Sequence, residues 1–287
     1  MAISLRTLPD RLAELAWLDK VAGNMRKVYD PVLGEKGPVG LKDALNGTWL
    51  GHPLHPAMTD VPIGCWTSSL ILDIAGVEKG ADILLKAGTI SALGTAATGA
   101  AQWQDLNDEA PKRLGALHAT LNVTATGLYG ISWVLRSNGS RPAGIAFSTT
   151  AYAIASLSAL IGGDLSYRLG IGVNRVAFEQ PVDDWTDAMP VTELGDGTLQ
   201  RAEIDGEAVV LLRDGERVLA ASATCTHVGG PLDEGELDGT CVTCPWHGSV
   251  FDLKDGAVIH GPATSPLHAY ETRVLNGMVQ VKAATAV

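Results

Sequence analysis

Cys225-Thr-His227 and, after sixteen intervening residues, Cys244-Pro-Trp-His247-Gly-Ser249 are the stretch on which the reading of this chain turns. Each short loop supplies one thiol and one imidazole. Zinc accepts the same four ligands, but zinc fingers usually present a Cys pair followed by a His pair. An iron–sulfur centre whose two irons are held by two thiolates and by two imidazoles suits the mixed loops. Neutral imidazoles leave less negative charge on their iron than thiolates do, so such a centre accepts an electron more readily than an all-cysteine one.

Working outward, the flanks read as short strands at 208–213, 217–221, 240–243, 249–253, 257–260 and 278–282, all β-branched or apolar runs. Turn pairs separate them: Asp205-Gly206, Asp214-Gly215, Asp238-Gly239, Asp255-Gly256 and Asn276-Gly277. This predicts an antiparallel all-β domain over residues 187–287 that carries the ligand loops.

Gly229, Gly230 and Gly248 fall where the loops must turn tightly, and Gly261-Pro262-Ala263 with Pro266-Leu267 supplies a third loop. With these, residues 187–281 resemble the Rieske [2Fe–2S] family. The resemblance implies a [2Fe–2S] cluster with Cys225 and Cys244 on the inner iron and His227 and His247 on the outer one. It also implies Ser249 and Pro262 as neighbours that tune and shield it. High-potential members of the family add a disulfide between the two loops and a Ser and a Tyr hydroxyl aimed at the cluster. Here the disulfide positions are Gly230 and Trp246, and the Tyr position is Phe251; only Ser249 matches. Hydrogen bonds to the sulfurs stabilise the more negative reduced state, so the resemblance implies a low to middle, ferredoxin-like potential. Cys241 lacks a His at the family spacing and is expected as a buried strand residue.

Charge divides the chain. Residues 176–287 hold 18 acidic and 6 basic residues, which leaves 14 acidic and 15 basic of the chain's 32 and 21 for residues 1–175. Such asymmetry predicts two domains in different surroundings, and a redox protein partner of the acidic half should present a basic docking surface. No basic, aromatic-interleaved patch calls for nucleic acid.

The nearly neutral half contains Leu114–Leu135 and Pro142–Gly163, both free of Asp, Glu, Lys and Arg and long enough to span a bilayer. Ala57–Val77, with Asp60 and Asp73, and Ile83–Trp103, with Lys86, complete four candidate helices rich in Gly, Ala, Ser and Thr. The expected architecture is a four-helix transmembrane bundle over residues 49–175 in contact with membrane lipid; a soluble four-helix bundle is the competing reading. With the N-terminus inside, one side receives Arg6, Arg11, Lys20, Arg26, Lys27, Lys36, Lys42, Lys112, Arg113, Arg168 and Arg175, and the other Lys79, Arg136 and Arg141. This predicts a multi-pass protein of a bacterial cell membrane, with both termini and the cluster domain cytoplasmic. No cleavable signal or twin-arginine segment precedes the helices, and four cysteines make no disulfide framework.

Residues 1–48 read as an amphipathic helix beginning near Thr7-Leu-Pro-Asp10, with Leu12, Leu15, Leu18, Met25 and Val28 at helical spacing. It is expected on the membrane surface or against the bundle, followed by a loop through Pro31, Gly34, Gly37, Pro38 and Gly40.

Gly51-His52-Pro-Leu-His55-Pro opens the bundle. With His118 and the closing 162–173 stretch, it resembles an uncharacterised bacterial four-helix membrane family, over residues 49–175. That resemblance supplies architecture and no activity; family members often carry His where this chain has Asp60. His52, His55 and His118 on facing helices could ligate haem b, another metal or a quinone, with Asp60, Asp73 or Asn122 as partners. The competing reading is a structural or proton-handling role. Cys65 and Trp66 are expected as packing residues.

The expected function is a membrane-anchored Rieske-type electron-transfer protein without chemistry on a substrate. The alternatives are a redox subunit of a membrane oxidoreductase with haem or another metal in the bundle, and a non-catalytic redox sensor. A Rieske oxygenase would need a further mononuclear-iron domain, which is not expected after His247; a bundle site of His52, His55, His118 and Asp60 is the remote substitute.

Overall fold

The chain divides into two compact units, Met1–Pro38 with Leu54–Ile171 and Val39–Pro53 with Gly172–Val287. The computed structural model describes residues 8–34 and 36–284; Arg6 and Thr7, used above for topology and as a helix start, lie outside them. Among the described residues the α-helices are α1 (Leu8–Ala13), α2 (Trp17–Leu33), α3 (Val39–Asn46), α4 (Leu54–Ile74), α5 (Glu78–Gln104), α6 (Glu109–Ser137) and α7 (Arg141–Tyr167).

The four expected long helices are α4 to α7. Glycines with positive φ stand in the turns that end α4 and α6, Gly76 at 74° and Gly139 at 79°, where a Cβ would be strained. α4 packs chiefly on α5 and α6 on α7, so α4 and α6 stand on a diagonal. The interior of this unit is unusually polar: Ser69, Thr95, Thr98, Ser132, Ser148 and Ser158 are buried, as is Arg136. Its outside is apolar, with Ile74 81%, Val123 68% and Leu160 66% exposed. One described helix, α7, is long and apolar enough by itself to cross a membrane.

The unit repeats itself. Residue n of the α4–α5 hairpin corresponds to residue n + 63 of the α6–α7 hairpin, and the matching residues meet across an approximate twofold axis. Asp73 and Arg136, 63 apart, form an ion pair. Trp66 stacks on its counterpart Tyr129, with ring centroids 4.1 Å apart. Ser69 Oγ donates to Ala81 O at 2.8 Å, and Ser132 Oγ to Gly144 O at 2.6 Å, the same bond made twice.

α2 packs on this bundle, burying Ala22 with Trp103, Leu106 and Ala116. Arg26 donates to Leu106 O at 2.7 Å and Arg113 pairs with Asp19 at 2.6 Å. The loop expected from Pro31 starts later: Pro31 lies inside α2, because the helix runs one further turn to bury Leu33. Gly40 lies inside α3. The domain boundary drawn at residue 48 also shifts, since α3 and the 3-10 turn Thr48–Leu50 fold with the second unit through the Asp43 contacts described below.

The second unit holds β1 (Thr186–Pro190), β2 (Leu199–Ile204), β3 (Glu207–Asp214), β4 (Arg217–Ser222), β5 (Glu236–Asp238), β6 (Cys241–Thr243), β7 (Val250–Asp252), β8 (Val258–His260), β9 (Ala269–Leu275) and β10 (Met278–Ala283). They form two antiparallel sheets, ordered β1-β10-β9-β4-β3-β2 and β5-β6-β7-β8. Asp205-Gly206 and Asn276-Gly277 both have positive φ at both residues, which is the two-residue turn whose twist matches the strands it joins. The six strands read from sequence are present; β1, β2, β5 and β9 add to them. These four carry exposed or half-buried polar residues between apolar ones, as in Leu-Gln-Arg-Ala-Glu-Ile of β2. The core of the smaller sheet gathers Val242, Phe251, Leu253, Leu232 and Leu267 around Cys225 and Cys244.

Candidate metal centre

Three loops leave the strands at one place: β4 to β5 carries Cys225 and His227, β6 to β7 carries Cys244 and His247, and β8 to β9 carries Gly261 to Pro266. The first two are built alike. Cys225 N donates to Gly230 O and Gly229 N returns to Cys225 O, both at 2.9 Å; Cys244 N donates to Ser249 O at 2.8 Å and Gly248 N to Cys244 O at 3.1 Å. The return bond forces the residue four past each cysteine into the left-handed region, and glycine stands there, Gly229 at φ 88° and Gly248 at φ 75°.

The four side chains come together as two pairs. Cys225 and Cys244 are 1% and 2% exposed and within hydrogen-bonding reach of one another. The Cys225 thiol donates to Cys244, which raises Cys225 and lowers Cys244 from the ordinary thiol value. The amides of His227 and Val228 point at the first sulfur and those of Trp246 and His247 at the second. Four aimed N–H groups favour thiolates. The imidazoles of His227 and His247 stand with ring centroids 5.1 Å apart and planes at 89°. Burial, then His247 and Arg175, push His227 down to about 3, so this imidazole is neutral, as a ligand must be. Its Nδ1 is buried and finds no hydrogen-bond partner among the described residues. An orphaned lone pair at that depth is costly unless a metal takes it.

No group of three or more His, Cys, Asp or Glu side chains converges on one point among the described residues. Two separate pairs are what a two-iron cluster requires, whereas one zinc ion would draw all four ligands together. The residues present therefore fit a [2Fe–2S] group better than a single ion.

Neighbouring residues define what surrounds this place. Ser249 is fully buried and its Oγ accepts the Ala263 amide at 3.0 Å, tying the second loop to the third. Pro262 lies between that contact and Gly261. A Cβ on Gly230 would lie 2.7 Å from Cys244 Sγ and 3.1 Å from Trp246 Cγ. The two positions read as lost disulfide cysteines are thus adjacent, and the Trp246 indole fills the space. Phe251 is fully buried in the same apolar cluster and carries no hydroxyl. Cys241 lies in β6, half-buried rather than fully so, because β6 is a short strand with one wet face.

Two contributors carried no signal in the sequence. Asp43 of α3 accepts the Gly261 amide through Oδ1 at 2.8 Å and pairs through Oδ2 with His260 Nδ1 at 2.9 Å. More than two hundred residues separate the partners, so no local pattern marks them. Arg175, read only as a topology charge, has its amide on Thr226 O at 3.1 Å and its charge beside His227.

In the helical unit the expected histidines part company. His55 and His118 meet, with centroids 6.5 Å apart and planes at 90°. His52 belongs to the second unit, exposed, with its Nδ1 on Pro53 O at 2.8 Å; the proline that follows it turns it out of α4. Among the expected partners Asn122 reaches His118 Nε2 at 3.0 Å. Asp60 is exposed, and Asp73 lies far along α4 and takes Arg136 and Arg141 instead. Trp66 packs as expected, against Gly88 and Tyr129, and Cys65 touches the same Gly88.

Comparison with known proteins agrees with this division. The Rieske [2Fe–2S] domain model matches residues 184–271, and a model described as a predicted membrane protein (DUF2231) matches residues 51–175. Ferredoxin CarAc of Metapseudomonas resinovorans is 35% identical over 98 residues, 34% of this chain and 92% of that protein. The ferredoxin subunit of anthranilate 1,2-dioxygenase from Burkholderia cepacia is 29% identical over 101 residues, 35% of this chain and 84% of that one. The iron-sulfur subunit of the cytochrome b6-f complex of Chlorobaculum tepidum is 30% identical over 95 residues, 33% of this chain and about half, 51%, of that one. The paired loops, the two thiols, the two imidazoles and these matches together place the chain in the Rieske [2Fe–2S] family, its cluster domain fused behind a domain of the predicted-membrane-protein family.

Proposed function

We propose that this protein is a membrane-anchored electron carrier of the ferredoxin-like kind, with Cys225 and Cys244 on the inner iron and His227 and His247 on the outer iron. The observation that carries the reading is the pairing of two buried thiols with two imidazoles on matched loops. A bound [2Fe–2S] cluster supplies a one-electron redox centre. The protein's own part is to hold the sulfurs as thiolates with four amides, keep His227 neutral, exclude water with Phe251, Leu253 and Leu267, and leave the imidazole side nearest the partner. Trp246, 52% exposed beside His247, lies at that side. The acidic balance of residues 176–287 favours a redox partner with a basic docking face.

A low to middle potential follows from the missing hydroxyl and disulfide. Phe251→Tyr restores a phenol where high-potential members have one, and its reduction potential, measured by redox titration of the paramagnetic signal, should rise. An unchanged or lower potential would show that position 251 does not address the cluster.

For the helical unit, Ser, Thr and Arg136 buried between the helices together with Ile, Val and Leu exposed on the outside suit lipid as the surrounding solvent. This supports four spans, and the charge bias supports cytoplasmic termini. A reporter active only in the periplasm, fused at the C-terminus, should stay inactive while a cytoplasmic one works; the opposite result would invert the topology.

A further inference from the structure

We propose that His55 and His118 are the two axial ligands of one b-type haem held inside the helical unit. The inference goes beyond the cluster reading and does not rest on it.

The two histidines occupy equivalent places in the repeated hairpin, on the diagonal helices α4 and α6. Their surroundings repeat as well. His55 Nδ1 is 3.0 Å from Thr95 O on α5, and His118 Nδ1 is 2.9 Å from Ser158 O on α7. A carbonyl oxygen only accepts, so the proton sits on Nδ1 of both rings and the lone pair on Nε2. Fixing the tautomer through the far nitrogen in this way is the usual support of a ligating histidine. Each ring also lies on a glycine of the partner helix: a Cβ on Gly99 would stand 2.7 Å from His55 Cε1, and one on Gly162 2.9 Å from His118 Cε1.

The separation selects the geometry. With metal–nitrogen bonds of about 2.1 Å, an imidazole centroid stands about 3.2 Å from its metal, so two rings on a tetrahedral ion lie about 5 Å apart and two rings on opposite sides about 6.4 Å. The cluster pair His227 and His247 shows 5.1 Å, and His55 and His118 show 6.5 Å. The second pair thus has the spacing of opposed, axial ligands. A bare divalent ion in that position would need two to four more donors, and no third His, Cys, Asp or Glu joins the pair among the described residues. A porphyrin brings the four equatorial nitrogens itself. Asn122 Nδ2, 3.0 Å from His118 Nε2, donates to the lone pair that iron would take and has to rotate aside on loading.

The full-length protein, produced with ample haem precursor and iron and purified in detergent, tests this by reduced-minus-oxidised optical spectra, haem extraction and paramagnetic resonance of the oxidised form. One b-type haem per chain with a low-spin, bis-imidazole signature is expected. His55→Ala and His118→Ala should each lose that signature, Asn122→Ala should keep it, and His118→Met, which replaces the ligand by a thioether, should keep the haem with an altered spectrum. Absence of haem from haem-replete protein overturns the proposal, as does an unchanged bis-imidazole spectrum in either alanine variant or in His118→Met. The cluster signal is read in the same samples. A missing haem beside an intact cluster signal defeats this inference alone, and a missing cluster signal beside a haem band defeats only the assignment of the cluster.

Discussion

Cys244→Ser is expected to abolish the Rieske-type rhombic signal of the dithionite-reduced protein, with bound iron falling from two per chain to background. Cys244 is 2% exposed; the hydrogen bond from Cys225 and the amides of Trp246 and His247 lower its thiol from the ordinary value against the opposing effect of burial. A serine hydroxyl ionises far less readily than a thiol, and a hard alkoxide is a poor substitute for a soft thiolate on iron. The loop would still close, because its bonds from Cys244 N to Ser249 O and from Gly248 N to Cys244 O are made by backbone. The loss is therefore chemical and specific. Cys241→Ser, on half-exposed β6, should leave signal and iron unchanged. If the Cys244 variant retains the signal, or the Cys241 variant loses it, the ligand assignment is wrong.

Asp73→Ala is expected to lower the stability of the helical unit by about 3–5 kcal/mol, the usual consequence of leaving a buried charge without its partner. Asp73 and Arg136 are 3% and 2% exposed and meet at 2.6 Å, while Arg141 reaches the other carboxylate oxygen at 2.7 Å. Asp82 takes both arginines as well, at 3.0 and 2.9 Å, so two carboxylates and two guanidiniums neutralise one another between the helices. Without Asp73, the two guanidiniums share the partly exposed Asp82, and Arg141 keeps only the long contact to Glu78 besides. Glu78→Ala provides the contrast: its contact with Arg141 is 3.5 Å long and the carboxylate 68% exposed, so the loss should stay below about 1 kcal/mol. Thermal unfolding in detergent distinguishes the two, and equal melting temperatures would show that the buried network contributes nothing beyond a surface pair.

Much of the cluster domain was legible because its signals are local. A Cys and a His two or three residues apart, a glycine four residues after each cysteine, and Asp-Gly or Asn-Gly turns each declare themselves within a few positions. The strands that escaped reading, such as β2 and β9, mix apolar with charged residues and so show no continuous apolar run. The long helices were equally plain, as uncharged runs of spanning length. Which of their polar residues meet was not, because a helix of small residues shows little preferred face.

The amino-acid sequence by itself determined the kind of centre and the presence of a four-helix unit ahead of it, and through the family resemblance it proposed the four ligands; it also shows Gly230, Trp246 and Phe251 where the resemblance has the disulfide and the phenol. Only the tertiary structure decided that Asp43 fastens the third loop, that Arg175 lies against His227, that His52 stands apart from His55, and that the bundle is one hairpin made twice. The physical reason is separation along the chain. A ligand loop or turn is a matter of backbone sterics over a few residues. Two pairs of the repeat, by contrast, place unlike residues at matching positions, Trp66 stacked on Tyr129 and Asp73 ion-paired with Arg136, and they lie 63 residues apart. The identical pairs, such as His55 with His118 and Ser69 with Ser132, are too scattered to announce a repeat, which becomes visible when the helices bring the partners into contact.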